Sequence, residues 1–285
     1  MNPIPMPCCP SRGAGTLPAT VASPPVAGST YPNEYVIPDA CADVTAWRSM
    51  AAAQWLYVKP LVYEALGVRY GLYPELPQAY PVIVKPVLNL HGLAWGARLA
   101  HTADDIANAP GCLWMPVTEG EHLSVDVTMH GTDVSARQVV RGIRGSHVGV
   151  FRHWERIEAD PFLETHIWEI ARRLGIGRQH TVKRWNIEFI NTTPIEIHLR
   201  GSDEFAPLAT YRYCRPIISD RRIRLSREQL AGIVGDLPWA SCLEPDGYPE
   251  RVGERWHRYA IVYGDDLDAL YAVRLRGAAP TEVIE

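Results

Sequence analysis

Short apolar runs separated by turn residues dominate the middle of the chain. Residues 80–85, YPVIVK, form a β-branched run between prolines, which predicts a strand that leads into a loop. Three further strand-like runs occur at residues 113–117, 122–129 and 134–140. Glycine-containing turns separate these runs, so the pattern predicts consecutive antiparallel strands.

Apolar residues recur at helical spacing in other segments. The first such pattern starts near Asp43 and ends around Gly67, which predicts a helix or a helix pair. Residues 161–174 have the same periodicity and are followed by Gly175, so they predict a helix with a glycine stop. Residues 102–109, TADDIANA, have an Asp three positions after a capping Thr and predict a short helix. Helices together with antiparallel strands predict an α+β fold.

Composition divides the chain into three parts. Residues 1–40 are dense in Pro, Gly, Ala and Ser, a composition that resists helix and sheet and predicts a disordered leader. Residues 41–215 contain most of the periodic segments, which predicts one folded domain. Residues 216–285 include the strand-like run RYAIVY at 258–263, and we expect them to complete the fold or to form contacts with another chain.

Composition also narrows the classes of function. The chain has 285 residues, of which 47% are hydrophobic and 21% charged, enough to bury a substantial core. The net charge is -4 and the basic residues are scattered, which predicts neither a nucleic-acid nor a membrane partner. The six cysteines form no CxxC pair, and no apolar stretch is long enough to span a membrane. We therefore expect a soluble cytoplasmic protein with free thiols.

Lys85 is the first candidate for chemistry. It ends a buried-looking strand and precedes Pro86 and the loop NLHGLAWGARL, which contains two glycines. A lysine placed there can reach a phosphate as a point charge, and glycines let backbone N–H groups approach phosphate oxygens. A lysine at a strand end is also commonly just solvated, so this pattern alone leaves both interpretations open.

Residues 186–200, NIEFINTTPIEIHLR, are the second candidate and predict a β-hairpin that turns at residues 191–194. Alternation along its strands places Glu188, Glu196 and His198 on one side, with Arg200 two residues further on. Two carboxylates and a third ligand suit Mg²⁺ or Mn²⁺ that bridges phosphate oxygens, and an arginine can neutralise phosphate charge. The alternative is an exposed sheet face on which Glu and Arg pair across strands.

Taken in order, these segments resemble the ATP-grasp superfamily. Residues 80–109 look like the family's strand, nucleotide-contacting lysine, phosphate-covering glycine loop and return helix. Residues 113–131, LWMPVTEGEHLSVDVTMHG, look like its adenine-contacting hinge strand and the strand that follows. The hairpin at 186–200 is similar to the metal-binding strands that end in Glu-x-Asn-x-Arg. The resemblance implies two α/β subdomains whose antiparallel sheets grip a nucleotide between them.

The resemblance also implies a role for each matching residue. The implied nucleotide contacts are Lys59, Lys85, His91, Gly92, Trp114, Met115, Val117, Glu121 and His122. The implied metal ligands are Glu188, Glu196 and His198. Lys85 and Arg200 would neutralise charge on the phosphates during catalysis.

Three features depart from the family's pattern. His198 stands where the family usually has an asparagine, and Met115-Pro116 stands where the hinge commonly has an acidic residue. The family usually places a separate α/β domain before the nucleotide domain, whereas only a leader and one helical segment occupy that part of this chain. We therefore expect a compact, divergent member whose substrate recognition comes from residues 202–285, comes from a partner chain, or is absent.

The resemblance implies an ATP- and Mg²⁺-dependent (or Mn²⁺-dependent) ligase that joins a small-molecule or peptide carboxylate to an amine through an acyl phosphate. The same nucleotide site would serve a small-molecule kinase, which releases a stable phosphorylated product. A nucleotide-binding or structural module without catalysis is a third interpretation, favoured by His198 and the missing forward domain. A mixed α/β protein of unrelated function is the fourth. The sequence leaves open a homo-oligomer or a complex with a partner chain.

Overall fold

The computed structural model describes residues 33–35, 43–88, 90, 93–131, 133–145, 147–177, 182–219, 221–243, 248–252 and 256–275. The strands in these ranges are β1 (Glu34–Tyr35), β2 (Gly71–Leu72), β3 (Val82–Pro86), β4 (Arg98–Ala100), β5 (Cys112–Pro116), β6 (His122–His130), β7 (Asp133–Arg144), β8 (Phe151–Ile157), β9 (Arg184–Ile190), β10 (Thr193–His198), β11 (Tyr213–Ser219), β12 (Trp239–Ser241), β13 (Glu250–Val252) and β14 (Trp256–Gly264). The α-helices are α1 (Asp43–Ser49), α2 (Lys59–Leu66), α3 (Pro161–Arg173), α4 (Arg227–Val234) and α5 (Leu267–Ala272). Two 3-10 helices span Ala51–Tyr57 and Asp203–Ala209.

The strands form two sheets, and the fold is α+β as predicted. The larger sheet has ten strands in the order β1-β12-β14-β11-β8-β7-β6-β9-β10, with β13 paired to β14. Its pairings are antiparallel except that of β1 with β12. The smaller sheet has the antiparallel order β2-β5-β3-β4. None of the helices in the described ranges has both the length and the apolar character that crossing a membrane requires.

Alternation along β6, β9 and β10 gives the larger sheet one apolar and one polar face. The apolar side chains share the main core with α3, and they are Val125, Val127, Trp185, Ile187, Phe189, Ile195 and Ile197. Burying one such large side chain contributes about 1.5–3 kcal/mol, which fixes the register of these strands. The polar side chains between them are His122, Ser124, Asp126, Asn186, Glu188, Glu196 and His198. The strand pattern therefore turns a row of polar groups away from the core.

Most predicted elements are confirmed, and two differ. The predicted strands correspond to β3, β5, β6, β7 and β14, and the predicted glycine-stopped helix is α3. The hairpin turn is tighter than predicted, because β10 already begins at Thr193. The short helix predicted at residues 102–109 is wrong, since these residues form turns. The Asp105 carboxylate accepts the N–H groups of His101 and Thr102 at 2.8 and 2.9 Å, and such local bonds compete with helical hydrogen bonds.

Candidate functional site

A cleft of about 1550 Å³ lies over the polar face of the larger sheet and reaches the smaller sheet. Residues of both sheets line it, including Ile83 of β3 and Glu188 of β9. Nine of the residues singled out in the sequence line this cleft: Lys59, Lys85, Met115, Val117, His122, Glu188, Glu196, His198 and Arg200. Residues as far apart in sequence as Lys59 and Arg200 thus face the same space.

Trp114 and Glu121, which were also singled out in the sequence, are not among the residues that line the cleft. The Trp114 ring packs against Gly71 in the core of the smaller sheet, and its indole N–H donates to the Glu75 carbonyl at 2.9 Å. Glu121 is exposed and pairs with Arg141 at 2.7 Å. His91 and Gly92 lie outside the described residues.

The two carboxylates of the hairpin are neighbours, because Glu188 of β9 is the register partner of Glu196 of β10. Glu196 pairs with the buried ammonium of Lys59, with 3.0 Å between Oε1 and Nζ. Glu188 is 3.0 Å from His122 Nε2 through Oε2 and 3.6 Å from His198 Nε2 through Oε1. Burial favours the neutral form of Glu188, but hydrogen bonds and charge from the two histidines lower its pKa overall. Both carboxylates therefore have basic partners, and those of Glu188 favour its charged form.

Lys85 lies beside this carboxylate pair. Its Nζ donates to the carbonyl oxygen of Ile195 at 2.9 Å and lies 5.4 Å from the centre of the Tyr63 ring. Burial, followed by the nearby charge of Lys59, lowers the pKa of Lys85 from 10.5 to about 7, against the attraction of Glu196. The Lys85 amine is thus a buried group that an additional negative charge in the cleft would protonate.

Asp43, which the sequence patterns did not single out, joins this site from α1. Its carboxylate is 3.1 Å from His198 Nδ1 and 3.0 Å from Arg200 Nε. Burial would raise the pKa of Asp43, but the charges of His198 and Arg200 hold it well below its usual range. For His198, burial by itself would lower the pKa of the ring, but the neighbouring carboxylates of Asp43 and Glu188 raise it to about 10. Asp43 has no sequence signal beyond its place at the start of the first helical pattern.

The donor set fits a divalent cation in part. Glu188 and Glu196 supply carboxylate oxygens that face the cleft from adjacent strands, and such oxygens are the ligands that Mg²⁺ prefers. His198 does not fit as a ligand, because its two ring nitrogens face the carboxylates of Asp43 and Glu188 and leave no lone pair for a metal. Among the described residues, no group of three or more His, Cys, Asp and Glu side chains has the arrangement of a metal site.

The loop between β3 and β4 covers one side of the cleft. Leu93 and Ala94 have positive φ angles of 52°, and Trp95 lines the cleft with 42% of its surface exposed. Ala94 packs directly on Gly149, in the turn between β7 and β8, where a side chain at position 149 would collide with the Ala94 methyl group. The loop therefore reaches across the cleft from the smaller sheet to the larger one.

Comparison with known proteins identifies the fold. No protein-family model matches the sequence, and no curated protein matches it significantly. The L-amino acid ligase from Bacillus licheniformis aligns over 74% of this chain and 67% of its own length, with 10% identity and a TM-score of 0.52. Carboxyaminoimidazole ribonucleotide synthase from Aspergillus clavatus, solved with ATP, aligns over 79% and 75%, with 14% identity and a TM-score of 0.54. N5-carboxyaminoimidazole ribonucleotide synthetase from Thermus thermophilus aligns over 84% and 79%, with 13% identity and a TM-score of 0.52.

These neighbours define the class of fold. They are ATP-grasp proteins, and the chain has the ATP-grasp fold that the sequence resemblance predicted. At 10 to 14% identity the likeness establishes the fold and leaves the reaction open.

Proposed function

We propose that this chain is an ATP- and Mg²⁺-dependent ligase that joins a carboxylate to an amine. The observation that carries the proposal is the shared cleft, in which two lysines, a carboxylate pair and Arg200 face one another although they are distant in sequence. The cleft of about 1550 Å³ is larger than an ordinary pocket of roughly 300–1,000 Å³, so it has room for a nucleotide and a second substrate. The neighbours with this fold include an L-amino acid ligase and a synthase solved with ATP.

In the proposed reaction the substrate carboxylate attacks the γ-phosphorus of ATP. The bond from that phosphorus to the bridging oxygen breaks, ADP leaves, and an acyl phosphate remains. The amine then attacks the acyl carbon, gives up its proton to water and releases inorganic phosphate. The protein's part is to orient the reactants and to stabilise the charge that develops on the phosphate oxygens, for which we propose Lys85 and Arg200.

We propose that Glu188 and Glu196 hold the metal. A bound Mg²⁺ would neutralise phosphate charge at this point. Lys59 now pairs with Glu196, so phosphates that enter the cleft would compete with Glu196 for the Lys59 ammonium and free a carboxylate oxygen. The adenine would lie against Met115 and Val117, and His122 would lie near the ribose, as the resemblance implies. His91, Gly92, Trp114 and Glu121 stay predictions from sequence.

The residues next to the carboxylate pair favour one other function. Each of the two carboxylates already has a basic partner, since Glu196 pairs with Lys59 and Glu188 with His122 and His198. This compensation would weaken metal binding and favours a module that binds nucleotide without catalysis. A kinase would use the same nucleotide contacts and would differ in its product.

The test combines binding with product analysis. Titration calorimetry with ATP, with and without Mg²⁺, measures nucleotide binding on the full chain. Incubation with ATP and panels of carboxylates and amines then follows ADP and phosphate release, and hydroxylamine traps an acyl phosphate. Glu196→Ala should abolish product formation, whereas Glu169→Ala, which removes an exposed carboxylate on α3, should not. Unchanged turnover in Glu196→Ala would exclude the proposed mechanism, and Mg-ATP binding without turnover would support the non-catalytic module.

A further inference from the structure

Asp43 occupies an unusual position for a carboxylate outside the hairpin. It is the first residue of α1, and only 2% of its side chain is exposed. Its partners in the hairpin are 155 and 157 positions further along the chain. A buried carboxylate is costly unless its oxygens are satisfied by hydrogen bonds or ion pairs. The identity of these partners therefore indicates what the residue does.

Four donors satisfy the Asp43 carboxylate. Oδ1 accepts hydrogen bonds from the Tyr57 hydroxyl at 2.9 Å and from Arg200 Nε at 3.0 Å, and it lies 3.1 Å from His198 Nδ1. Oδ2 accepts from Arg200 Nη2 at 3.0 Å. The contact with Arg200 is bidentate, which fixes the plane of the guanidinium as well as its distance.

The same carboxylate also fixes the backbone between its two partners. The Tyr57 hydroxyl that donates to Asp43 accepts the N–H of Leu199 at 3.0 Å. His198, the last residue of β10, and the two residues after it, Leu199 and Arg200, are thus tied to α1 and the 3-10 helix that follows it. Arg200 Nη1 also donates to the Gly201 carbonyl at 3.0 Å, which completes the restraint on this side chain.

We propose that Asp43 is a positioning residue that holds Arg200 in place to face the phosphates of a bound nucleotide, with the His198 ring fixed beside it. This inference rests on the proposed function. An unrestrained arginine samples many rotamers, whereas one held at two nitrogens is already oriented when the phosphate arrives. Both Arg200 and His198 line the cleft in which we propose that the phosphates bind.

Asp43→Asn is the change that tests this inference. The side chain keeps its shape, but the amide presents an NH₂ group to donors that need an acceptor. Glu155→Gln is the matched control, because Glu155 is also a largely buried carboxylate held by two arginines, at 2.7 and 2.8 Å, and it does not line the cleft. Titration calorimetry measures ATP and adenosine binding to each full-length variant.

A positioning role predicts a loss that depends on the phosphates. Asp43→Asn should weaken ATP binding at least about ten-fold and adenosine binding less than about two-fold, and the control should change neither. Combined with Arg200→Gln, it should cost less than the product of the two separate losses, because both changes remove one function. Equal losses for ATP and adenosine, or multiplicative losses in the double variant, would overturn the inference.

Absence of ATP binding by the unchanged protein would contradict the proposed function and would leave the role of Asp43 to a structural test. If the unchanged protein binds no ATP, that function fails and the inference is decided by a crystal structure of the Asp43→Asn variant. Displacement of the Arg200 guanidinium and the His198 ring would support the positioning role. Retention of both side chains in their present places would overturn it.

Discussion

Replacing Lys85 by methionine is expected to stabilise the ligand-free protein while it weakens binding of nucleotide. Lys85 is 8% exposed, and burial followed by the charge of Lys59 lowers its pKa from 10.5 to about 7. The two pKa values differ by about 3.5, and each pKa unit corresponds to about 1.36 kcal/mol. Holding the lysine side chain in the fold at neutral pH therefore costs at most about 5 kcal/mol. Methionine has a similar length and no such cost.

The loss of the lysine leaves few polar groups without partners. The Ile195 carbonyl still accepts from the Tyr63 hydroxyl at 2.6 Å, and Glu196 keeps Lys59. The lost hydrogen bond offsets the gain by about 0.5–1.5 kcal/mol. Relaxation of the site reduces the gain further, so we expect Lys85→Met to raise the free energy of unfolding at pH 7 by about 2 kcal/mol.

The sign of the pH dependence follows from the lowered pKa. Between pH 7 and 10.5 the unfolded chain binds the Lys85 proton and the folded chain largely does not, so stability of the unchanged protein rises with pH across this window. The variant lacks this contribution. The advantage of Lys85→Met should therefore shrink as pH rises from 7 towards 10.

Urea unfolding at pH 7, 8.5 and 9.5 measures the stability gain and its pH dependence. The comparison requires that the dependence of the unfolding free energy on urea concentration, the m value, is the same for both proteins. Lys183→Met is the control, because Lys183 is exposed and its replacement should change stability by less than about 0.5 kcal/mol. A destabilised Lys85→Met variant, or a difference that does not fall with pH, would refute the assignment of Lys85 as a buried amine with a lowered pKa.

Three further predictions follow from other contacts of the site. Asp126→Ala removes a buried acceptor of three hydrogen bonds and should lower the free energy of unfolding by about 3–5 kcal/mol, measured in urea. Gly149→Ala, whose methyl group would collide with Ala94, should lower the melting temperature more than Gly131→Ala, which has positive φ but open space. Binding of ATP at pH 8 should take up a proton at Lys85, seen as a dependence of the calorimetric enthalpy on the buffer's ionisation enthalpy.

Alternation and turn chemistry were enough to predict much of the hairpin. The apolar positions Ile187, Phe189 and Ile197 go to the core, so Glu188 and Glu196 must project from the opposite face. The same reasoning predicted β3, which carries Lys85. These predictions depend on the spacing of apolar residues along a strand and on the residues next to them, and one amino-acid sequence contains both.

The contacts that balance these charges could not be predicted in the same way. Whether Lys59 pairs with Glu196 or Glu188 depends on how α2 packs against the sheet, and no periodicity encodes that distance. Trp114 shows the converse problem, because its backbone belongs to the predicted hinge strand while its ring fills the core beside Gly71. A strand pattern places residues on faces, whereas partners across elements follow from tertiary packing.

His198 illustrates why one departure from a family pattern cannot be interpreted alone. An asparagine would present an amide oxygen to the cleft, whereas the imidazole of His198 faces carboxylates with both nitrogens and carries a positive charge. A buried cation needs a compensating anion, and Asp43 supplies it from a helix that precedes the hairpin by more than a hundred residues. The charges of the two residues compensate each other, with Arg200 as the second partner of Asp43 and Glu188 as the second partner of His198. What the hairpin can bind is consequently determined by Asp43 of α1 together with the residues of the hairpin itself.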